Sequence, residues 1–198
     1  RLVGSEMCIR DRYYPNKPIQ VWTQGEDEDS RFWFPCFDYP GQLATSEIRV
    51  KVPQNYLAIS NGELIATEEI GTEKIYHWSQ KQIHPTYLMT LAVGDFAELK
   101  AFWHDIPVNY YVEKGREEDG LRSMEKTPRM VDFFSRKFGY PYPYPKYAQV
   151  CVDDFIFGGM ENTSTTLLTD RCLLDERASL DLSLIHISEP TRPTPISY

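Results

Sequence analysis

A run near the end of the sequence, from Phe155 to Asn162 (FIFGGMEN), combines residue types that could bind a peptide. Its paired glycines lack Cβ atoms, which lets another group approach the backbone closely. Glu161 then places a negative charge beside that open backbone. An edge strand that binds an extended peptide, while a carboxylate holds the peptide's amino terminus, needs these residue types. The alternative is a carboxylate at the end of a strand that pairs with an arginine, and the two glycines weaken that alternative.

A second group of candidate residues lies near the start of the chain, where Gln24 and Glu26 flank Gly25. Residues two apart on an extended backbone point the same way, so both side chains can face one ligand. The acidic residues 27–29 that follow are expected to form a solvated loop. The aromatic block at 33–37 (WFPCF) would hold this loop rigidly. The residue types alone leave a binding role and a structural role equally open for Gln24 and Glu26.

The histidine pattern predicts no metal site. His77, His84 and His104 lie inside the chain and His186 lies near its end, and no two of them are spaced i, i+4 as in an H-E-x-x-H zinc motif. His77 and His84 are therefore interpreted as ordinary, partly buried histidines. The four cysteines are widely spaced and form neither a disulfide framework nor a zinc knuckle. No nucleophile elbow, P-loop or dinucleotide fingerprint is present.

Composition narrows the class of protein. A length of 198 residues allows one domain or parts of two, and 41% hydrophobic residues allow a packed core. The net charge of −8 argues against nucleic acid as a partner, because phosphate binding needs a basic surface. No apolar segment approaches the length of a membrane-spanning helix.

The first half of the chain is typical of β structure. Ile48–Val52 alternates apolar and charged residues, as a half-buried strand does. Asn61-Gly62 between the apolar runs 56–60 and 63–67 predicts a β-hairpin, because Gly and Asn tolerate positive φ. Further strands are predicted at 74–79 and 87–93. With no helical stripe in this part, the pattern favours an antiparallel meander or sandwich.

The second half mixes strands with a helix. A strand is predicted at 108–112, followed by a helix that Thr127 caps, that has Pro128 at its first position and that ends at Gly139. Val131, Phe134 and Phe138 recur at helical spacing and predict a buried stripe. The segment Pro141–Pro145 (PYPYP) predicts a rigid extended connector. Short strands are predicted at 148–152 and 155–157.

The two ends do not match the part between them. Residues 1–12 (RLVGSEMCIRDR) show neither strand alternation nor a helical stripe, and residues 183–198 contain Pro190, Pro193 and Pro195 in a short polar stretch. Both segments resemble translated library-adaptor sequence and are expected to be foreign. The remaining core is divided near Lys100, which predicts one domain at 13–99 and the start of a second at 100–182.

The core resembles the zinc aminopeptidases of the aminopeptidase N and leukotriene hydrolase type. The residues that carry the resemblance stand in the family's order; they are Gln24-Gly25-Glu26, Arg31, Phe34–Asp38 (FPCFD), Tyr140–Pro143 with Lys146, and Gly158–Asn162 (GGMEN). The resemblance implies a mostly β fold with some α. An incomplete antiparallel β-sandwich would precede the first strands and helix of a thermolysin-like α/β catalytic domain.

The resemblance also implies a role for each candidate residue, with peptides that have a free N-terminus as substrates. Glu161 and Glu26, one from each domain, would bind the α-ammonium group. Gln24 would line the first side-chain pocket, and Met160 would form its wall. The backbones of Gly158, Gly159 and Met160 would pair with the substrate main chain, and Asn162 would orient the segment. Arg31 and Asp38 would be structural.

The chain departs from the family at its zinc site. The family's H-E-x-x-H helix, its third zinc ligand and its catalytic tyrosine lie downstream of the GGMEN segment. Around His186 the sequence His-Ile-Ser-Glu is followed by Pro190, which would break a helix. The chain is therefore expected to carry recognition residues but no zinc ligands and no catalytic residues. It is expected to be inactive alone, whereas the full-length protein would use zinc.

Two alternatives stay open. The first is a non-catalytic relative of the same fold that serves as a scaffold for protein contacts. The presence of Glu26 and Glu161 favours an enzyme, because a scaffold has no need of an amine pocket. The second is a bifunctional epoxide hydrolase and aminopeptidase like the leukotriene enzyme, which no residue of this chain tests.

Overall fold

A computed structural model describes residues 9–12 and 19–181 of the chain. Within these residues twelve strands form three sheets, accompanied by three α-helices. The strands are β1 (Ile9–Arg12), β2 (Gln20–Thr23), β3 (Leu43–Pro53), β4 (Leu57–Ser60), β5 (Glu63–Ile70), β6 (Glu73–Pro85), β7 (Leu91–Gly94), β8 (Phe96–Trp103), β9 (Ile106–Glu113), β10 (Tyr147–Val152), β11 (Gly159–Met160) and β12 (Thr165–Thr169). The helices are α1 (Glu117–Met124), α2 (Thr127–Phe138) and α3 (Ala178–Asp181).

Two antiparallel sheets form a sandwich from the first seven strands. Their strand orders are β1-β2-β7-β4 and β3-β6-β5. The alternation in β3 buries Val52 between the sheets, where it packs in one cluster with Trp78 of β6 and Ala58 of β4. The strands predicted at 48–52 and 74–79 are confirmed within β3 and β6. Of the strand predicted at 87–93, only the second half lies in β7, because residues 86–88 form a 3-10 turn.

The hairpin predicted at Asn61-Gly62 is wrong. β4 pairs with β7 and β5 pairs with β6, so these two residues connect different sheets of the sandwich. Gly62 does adopt a positive φ of 76°, and a Cβ there would lie 2.1 Å from the carbonyl oxygen of Ser79. The Asn61 side chain is buried and donates hydrogen bonds to the carbonyls of Leu88 and Thr163. The dipeptide therefore indicates a tight turn, but not which sheet the chain enters next.

The third sheet is mixed and has the strand order β11-β12-β10-β9-β8. β10 runs parallel to both β9 and β12, whereas β8 and β11 are antiparallel to their neighbours. The strands predicted at 108–112 and 148–152 are confirmed within β9 and β10. Because β8 belongs to this sheet, the chain changes sheet between Gly94 and Phe96, a few residues before the boundary predicted near Lys100. The division into domains itself stays a prediction.

Helices α1 and α2 lie in the crossover from β9 to β10. Helix α1, which the sequence did not predict, lies so close to the sheet that a Cβ on Gly120 would be 2.9 Å from Val112. Helix α2 ends at Gly139 as predicted, with a φ of 65°. Its N-cap is Lys126 rather than Thr127, and the Thr127 hydroxyl instead donates a hydrogen bond to Gln149 of β10.

The buried stripe predicted on α2 is wrong. Phe134 is 50% exposed and Phe138 is 75% exposed, and only Val131 is half-buried. These side chains and the segment Pro141–Pro143 line an open apolar groove of about 460 Å³. Helical periodicity identified an apolar face, but periodicity cannot tell whether other residues cover it.

The ends of the chain are described only in part. Residues 9–12, from the segment predicted to be foreign, form β1 and pair with Gln20–Thr23 although they lack side-chain alternation. Backbone pairing does not require that alternation. Residues 183–198 lie outside the described part, and the foreign origin of both ends stays a prediction. None of the described helices is long and apolar enough to cross a membrane.

Candidate functional site

The loop after β2 presents Gln24 and Glu26. Gly25 lies so tightly against the next segment that a Cβ would be 2.5 Å from the Ser30 hydroxyl oxygen and 2.8 Å from the Tyr87 carbonyl oxygen. The Asp29 amide donates to the Gly25 carbonyl at 3.1 Å, which closes the turn. Only glycine fits this approach, so the residue between the two candidate side chains fixes the path of the loop.

An ion pair between Arg31 and Asp38 stabilises the loop that carries Gln24 and Glu26. Arg31 donates from its backbone amide and its Nε to the same carboxylate oxygen of Asp38, at 3.0 and 3.2 Å. Asp38 is buried and Arg31 also reaches Glu28 at 2.8 Å. This geometry supports the structural role expected for Arg31 and Asp38, because both residues bond within their own loop.

Gly158 and Gly159 lie at the start of an edge strand, as the sequence predicted, but a neighbouring strand packs closely against the backbone of Gly159. β11 is the edge strand of the mixed sheet as described, and Gly159 pairs with Leu168 of β12. A Cβ on Gly159 would lie 2.9 Å from the Leu168 side chain, so the group that approaches this backbone closely is the neighbouring strand. The strand predicted at 155–157 is wrong, because these residues form an irregular bend before the glycines.

A direct contact joins the two groups of candidate residues. The Gln24 side-chain amide donates to the Met160 sulfur at 3.4 Å, across 136 residues of sequence. Both side chains are buried, with 0% and 1% exposure. The loop after β2 and the edge strand β11 therefore meet, as the resemblance implied. Within the described residues, Gln24 Oε1 has no hydrogen-bond partner.

The two candidate carboxylates interact electrostatically. The pKa of Glu26 is raised, first by partial burial and then by the negative charges of Glu161 and Asp27. Glu26 is half-buried and Glu161 is exposed. A second negative charge that disfavours the ionised form of Glu26 marks a place where a cation would be stabilised.

Hydrogen bonds between the sandwich and the segment after Glu161 fix this arrangement. The Asn61 amide donates to the Thr163 carbonyl at 2.6 Å, and the Gly62 amide donates to the Ser164 hydroxyl at 2.7 Å. Lys146 Nζ donates to the Ser60 carbonyl at 2.7 Å and to the Thr165 hydroxyl at 2.6 Å. We call this set the seam; its residues are Ser60, Asn61, Gly62, His84, Lys146, Thr163, Ser164 and Thr165.

The seam brings together residues to which the sequence analysis gave other roles or none, and the orienting role expected for Asn162 stays a prediction. Asn162 is 2% exposed, and its two side-chain polar atoms have no hydrogen-bond partner within the described residues. The hydrogen bonds that anchor the segment after Glu161 are made by Thr163, Ser164 and Thr165. For these three residues the sequence offered only the polar run 162–166 as a signal.

His77 and His84 form hydrogen bonds within the sandwich and, for His84, to the segment after Glu161. His84 is buried, with its two ring nitrogens 3.2 Å from the Ser46 hydroxyl and 3.1 Å from the Thr163 hydroxyl. His77 contacts Glu47 at 2.6 Å. Among the described residues, no three His, Cys, Asp or Glu side chains are arranged to hold a metal ion, so these residues do not fit a zinc site.

Comparisons with known proteins identify both halves of the chain. Residues 4–88 match the family profile described as Peptidase M1 N-terminal domain, and residues 122–185 match the one described as Peptidase family M1 domain. Both matches extend slightly into the terminal segments that are expected to be foreign.

Named relatives agree with these matches. Aminopeptidase M1 of Arabidopsis thaliana is 33% identical over 159 residues, which cover 79% of this chain and 18% of that protein. Aminopeptidase M1-A of Oryza sativa subsp. japonica has the same identity and coverage. Leucyl aminopeptidase of Saccharolobus solfataricus is 26% identical over 169 residues, covering 85% of this chain and 22% of that protein.

The chain thus spans about a fifth of the length of these relatives. The N-terminal match contains most of the sandwich, and the second match contains α2, β10, β11 and β12, whereas residues 89–121 lie in neither match. With both of its halves matched in this way, the chain belongs to peptidase family M1.

Proposed function

We propose that this chain is part of a zinc-dependent aminopeptidase that removes single residues from the N-termini of peptides. Within it, Glu26 and Glu161 would bind the free α-ammonium group of the substrate. The observation that carries this proposal is the meeting of two acidic residues from different sheets, close enough for the charge of Glu161 to raise the pKa of Glu26. The names of the relatives, which are aminopeptidases, support it.

The chemistry of the substrate explains why two carboxylates are useful. An exopeptidase must distinguish an amino terminus from an internal amide, and only the terminus is charged at neutral pH. A hydrogen bond to a charged group contributes about 1.5–3 kcal/mol when water is excluded, whereas an exposed ion pair contributes about 1 kcal/mol or less. Because Glu161 is exposed in this chain, the discrimination here is expected at the lower value.

The neighbouring residues fit the rest of such a substrate. β11 offers the free side of an edge strand, to which an extended peptide can add as a further strand. In this arrangement the backbones of Gly158, Gly159 and Met160 would pair with the substrate main chain. Gln24 would offer its unpartnered Oε1 to the first substrate residue beside the Met160 wall.

The hydrolytic step is not assigned to the residues described here, since they do not fit a zinc site. We propose that the complete protein depends on zinc and that the 198-residue chain alone binds amines without hydrolysing peptides.

The amine site can be tested on the chain itself by NMR titration. Trialanine amide, which has a free N-terminus, is expected to shift the amide signals of Gly159 and Glu161 with a millimolar dissociation constant. N-acetyl-trialanine amide, which lacks the charge, is expected to leave them in place. Glu161→Gln should weaken binding of the free amine by up to about fivefold, the value of an exposed ion pair.

Glu28→Gln is the matched control. Glu28 lies two residues from Glu26 in the same loop, but its carboxylate contacts Arg31. This variant should bind trialanine amide as the parent chain does. Equal shifts with the free and the acetylated peptide, or no loss on Glu161→Gln, would refute the proposed amine site.

A further inference from the structure

Lys146 is a buried cation whose role the proposed function leaves open. Its side chain is only 5% exposed, and its ammonium lies 4.9 Å from the centre of the Trp78 ring. The atoms that accept its hydrogen bonds are the carbonyls of Ser60 and Ser164 and the hydroxyl of Thr165, all uncharged. Burying a cation without a carboxylate is costly, and a methionine of similar length would pack more favourably. The ammonium therefore calls for an explanation other than stability.

Its acceptors come from the two sides of the amine site. Ser60 ends β4 of the sandwich, whereas Thr165 begins β12 of the mixed sheet and Ser164 directly precedes it. Thr165 strengthens the junction, because its hydroxyl accepts from Lys146 and donates to the Ser60 carbonyl at 2.8 Å. One ammonium thus bonds to both sheets at this point, beside the direct bond between Thr165 and Ser60.

From Ser164 the path to Glu161 is three residues long. Along it the Thr163 amide donates to the Leu88 carbonyl at 3.3 Å, and the Thr163 carbonyl accepts from Asn61 at 2.6 Å. Ser164 itself is held at a φ of 60°, a left-handed conformation that few non-glycine residues adopt. Such a conformation persists only where the surroundings enforce it.

A second path leads from Ser60 to Glu26. The Ser60 hydroxyl donates to the Thr90 carbonyl at 2.7 Å, and the next amide, that of Leu91, donates to the Thr23 hydroxyl at 3.0 Å. Thr23 ends β2 directly before the loop that carries Glu26. The two carboxylates are thus connected through Lys146 by short runs of backbone and buried hydrogen bonds.

We propose that Lys146 is a positioning residue that holds Glu26 and Glu161 at the separation the amine site requires, by joining Ser60 to Ser164 and Thr165. The inference rests on the proposed amine site for its biological meaning. The proposal also predicts that the electrostatic coupling between Glu26 and Glu161 depends on Lys146. This coupling can be measured without any ligand.

The test compares the titration of Glu26 in four chains by carbon-detected NMR of labelled glutamate carboxyl groups. In the parent chain, Glu161→Gln removes a nearby negative charge and should lower the pKa of Glu26. In the Lys146→Met background the same change should have about half the effect or less, because Coulomb coupling falls as the carboxylates separate. An unchanged effect of Glu161→Gln in that background would overturn the proposal.

Two further comparisons separate positioning from stability. Val112→Ala removes buried volume from the other side of the mixed sheet and should lower the melting temperature while leaving the coupling intact. If Lys146→Met does not fold, Thr165→Val removes one acceptor with little change in shape, whereas Thr165→Ser keeps the hydroxyl. The valine variant should lose coupling and the serine variant should retain it; equal coupling in both would also overturn the proposal.

The amine titration with trialanine amide is run separately on the same chains. Coupling that depends on Lys146, in a parent chain that does not bind the free amine, would refute the proposed function and leave the positioning role in place. If amine binding and coupling both survive Lys146→Met, the positioning role is refuted and the proposed function stands.

Discussion

At the scale of single residues, the seam holds two basic side chains where charge is unfavourable. Burial lowers the pKa of His84 to about 4 and that of Lys146 to about 7. His84 contacts Thr163, next to the candidate site, so its protonation state affects the same junction as Lys146. His84 is neutral in the folded protein at neutral pH and becomes protonated only near pH 4, below the range in which Lys146 titrates.

We expect His84 to make the chain acid-sensitive between pH 6.5 and 4. The pKa of His84 is about 4 in the folded chain and near 6.5 when unfolded, so the unfolded state binds the proton first as the pH falls. The contribution of His84 to stability is complete above pH 6.5 and is lost down to about pH 4. A tenfold change in proton affinity corresponds to about 1.4 kcal/mol, so the loss is about 3 kcal/mol.

Urea denaturation followed by tryptophan fluorescence at several pH values measures this loss. His84→Gln keeps a polar side chain without the titration and should flatten the pH dependence over this range. His77→Gln changes a histidine of the same strand outside the seam and serves as the control. It should leave the loss of stability between pH 6.5 and 4 in place. Parallel pH profiles for the parent chain and His84→Gln would contradict the prediction.

At the scale of elements, the connection between β4 and β5 decides how the sandwich meets the rest of the chain. Gly62 turns the backbone from one sheet into the other at a positive φ, and its amide reaches the Ser164 hydroxyl. Its backbone touches Ser79 too closely for any side chain. This link therefore depends on both the conformational freedom and the small size of glycine.

Two glycine substitutions separate these two requirements. Gly71 has a φ of 63°, and a Cβ added there would meet no other part of the chain within 4 Å, so Gly71→Ala should cost about 1–2 kcal/mol for the left-handed backbone alone. Gly62→Ala adds a steric overlap with backbone atoms and should cost at least twice as much in the free energy of unfolding. Urea denaturation measures both, and equal costs would mean that the approach to Ser79 does not constrain the chain.

Sequence patterns predicted most strands and α2, because alternation and helical periodicity are local properties. They failed where the outcome depended on distant partners. Asn61-Gly62 indicated a turn but not the sheet beyond it, and α2 showed an apolar face but not its exposure. The resemblance implied a shared pocket for Gln24 and Met160, and their side chains are in contact, although the pocket itself stays a proposal. The seam was missed because Asn61, Lys146 and Thr163 form no pattern until the two sheets meet.

At the scale of the whole molecule, the described residues contain the proposed amine site and an exposed apolar face on α2. The groove beside α2 is lined by exposed aromatic residues such as Phe134 and Phe138. Glu26 and Glu161 lie at a different junction, where β11 meets the loop after β2. The proposed amine site and the apolar groove therefore occupy separate parts of the described structure.

We expect the 198-residue chain to show no aminopeptidase activity. Purified chain with added zinc should release no 4-nitroaniline from leucine 4-nitroanilide above the buffer blank, because its sequence contains no histidine pair with the i, i+4 spacing of an H-E-x-x-H motif. A zinc aminopeptidase of known activity serves as the positive control. Release that co-elutes with the chain and is abolished by a chelator would refute the prediction.

The contact between Gln24 and Met160 also sets when the site can exist during synthesis. It joins residues 136 positions apart, and the bond between Asn61 and Thr163 spans 102. At about 5–20 residues per second, Gln24 is made roughly 7–27 s before Met160. The sandwich can fold in that interval, but the loop that carries Gln24 and Glu26 cannot contact Met160 until Met160 has been made. The proposed amine site is thus among the last parts of the chain to form on the ribosome, and such long-range contacts form slowly.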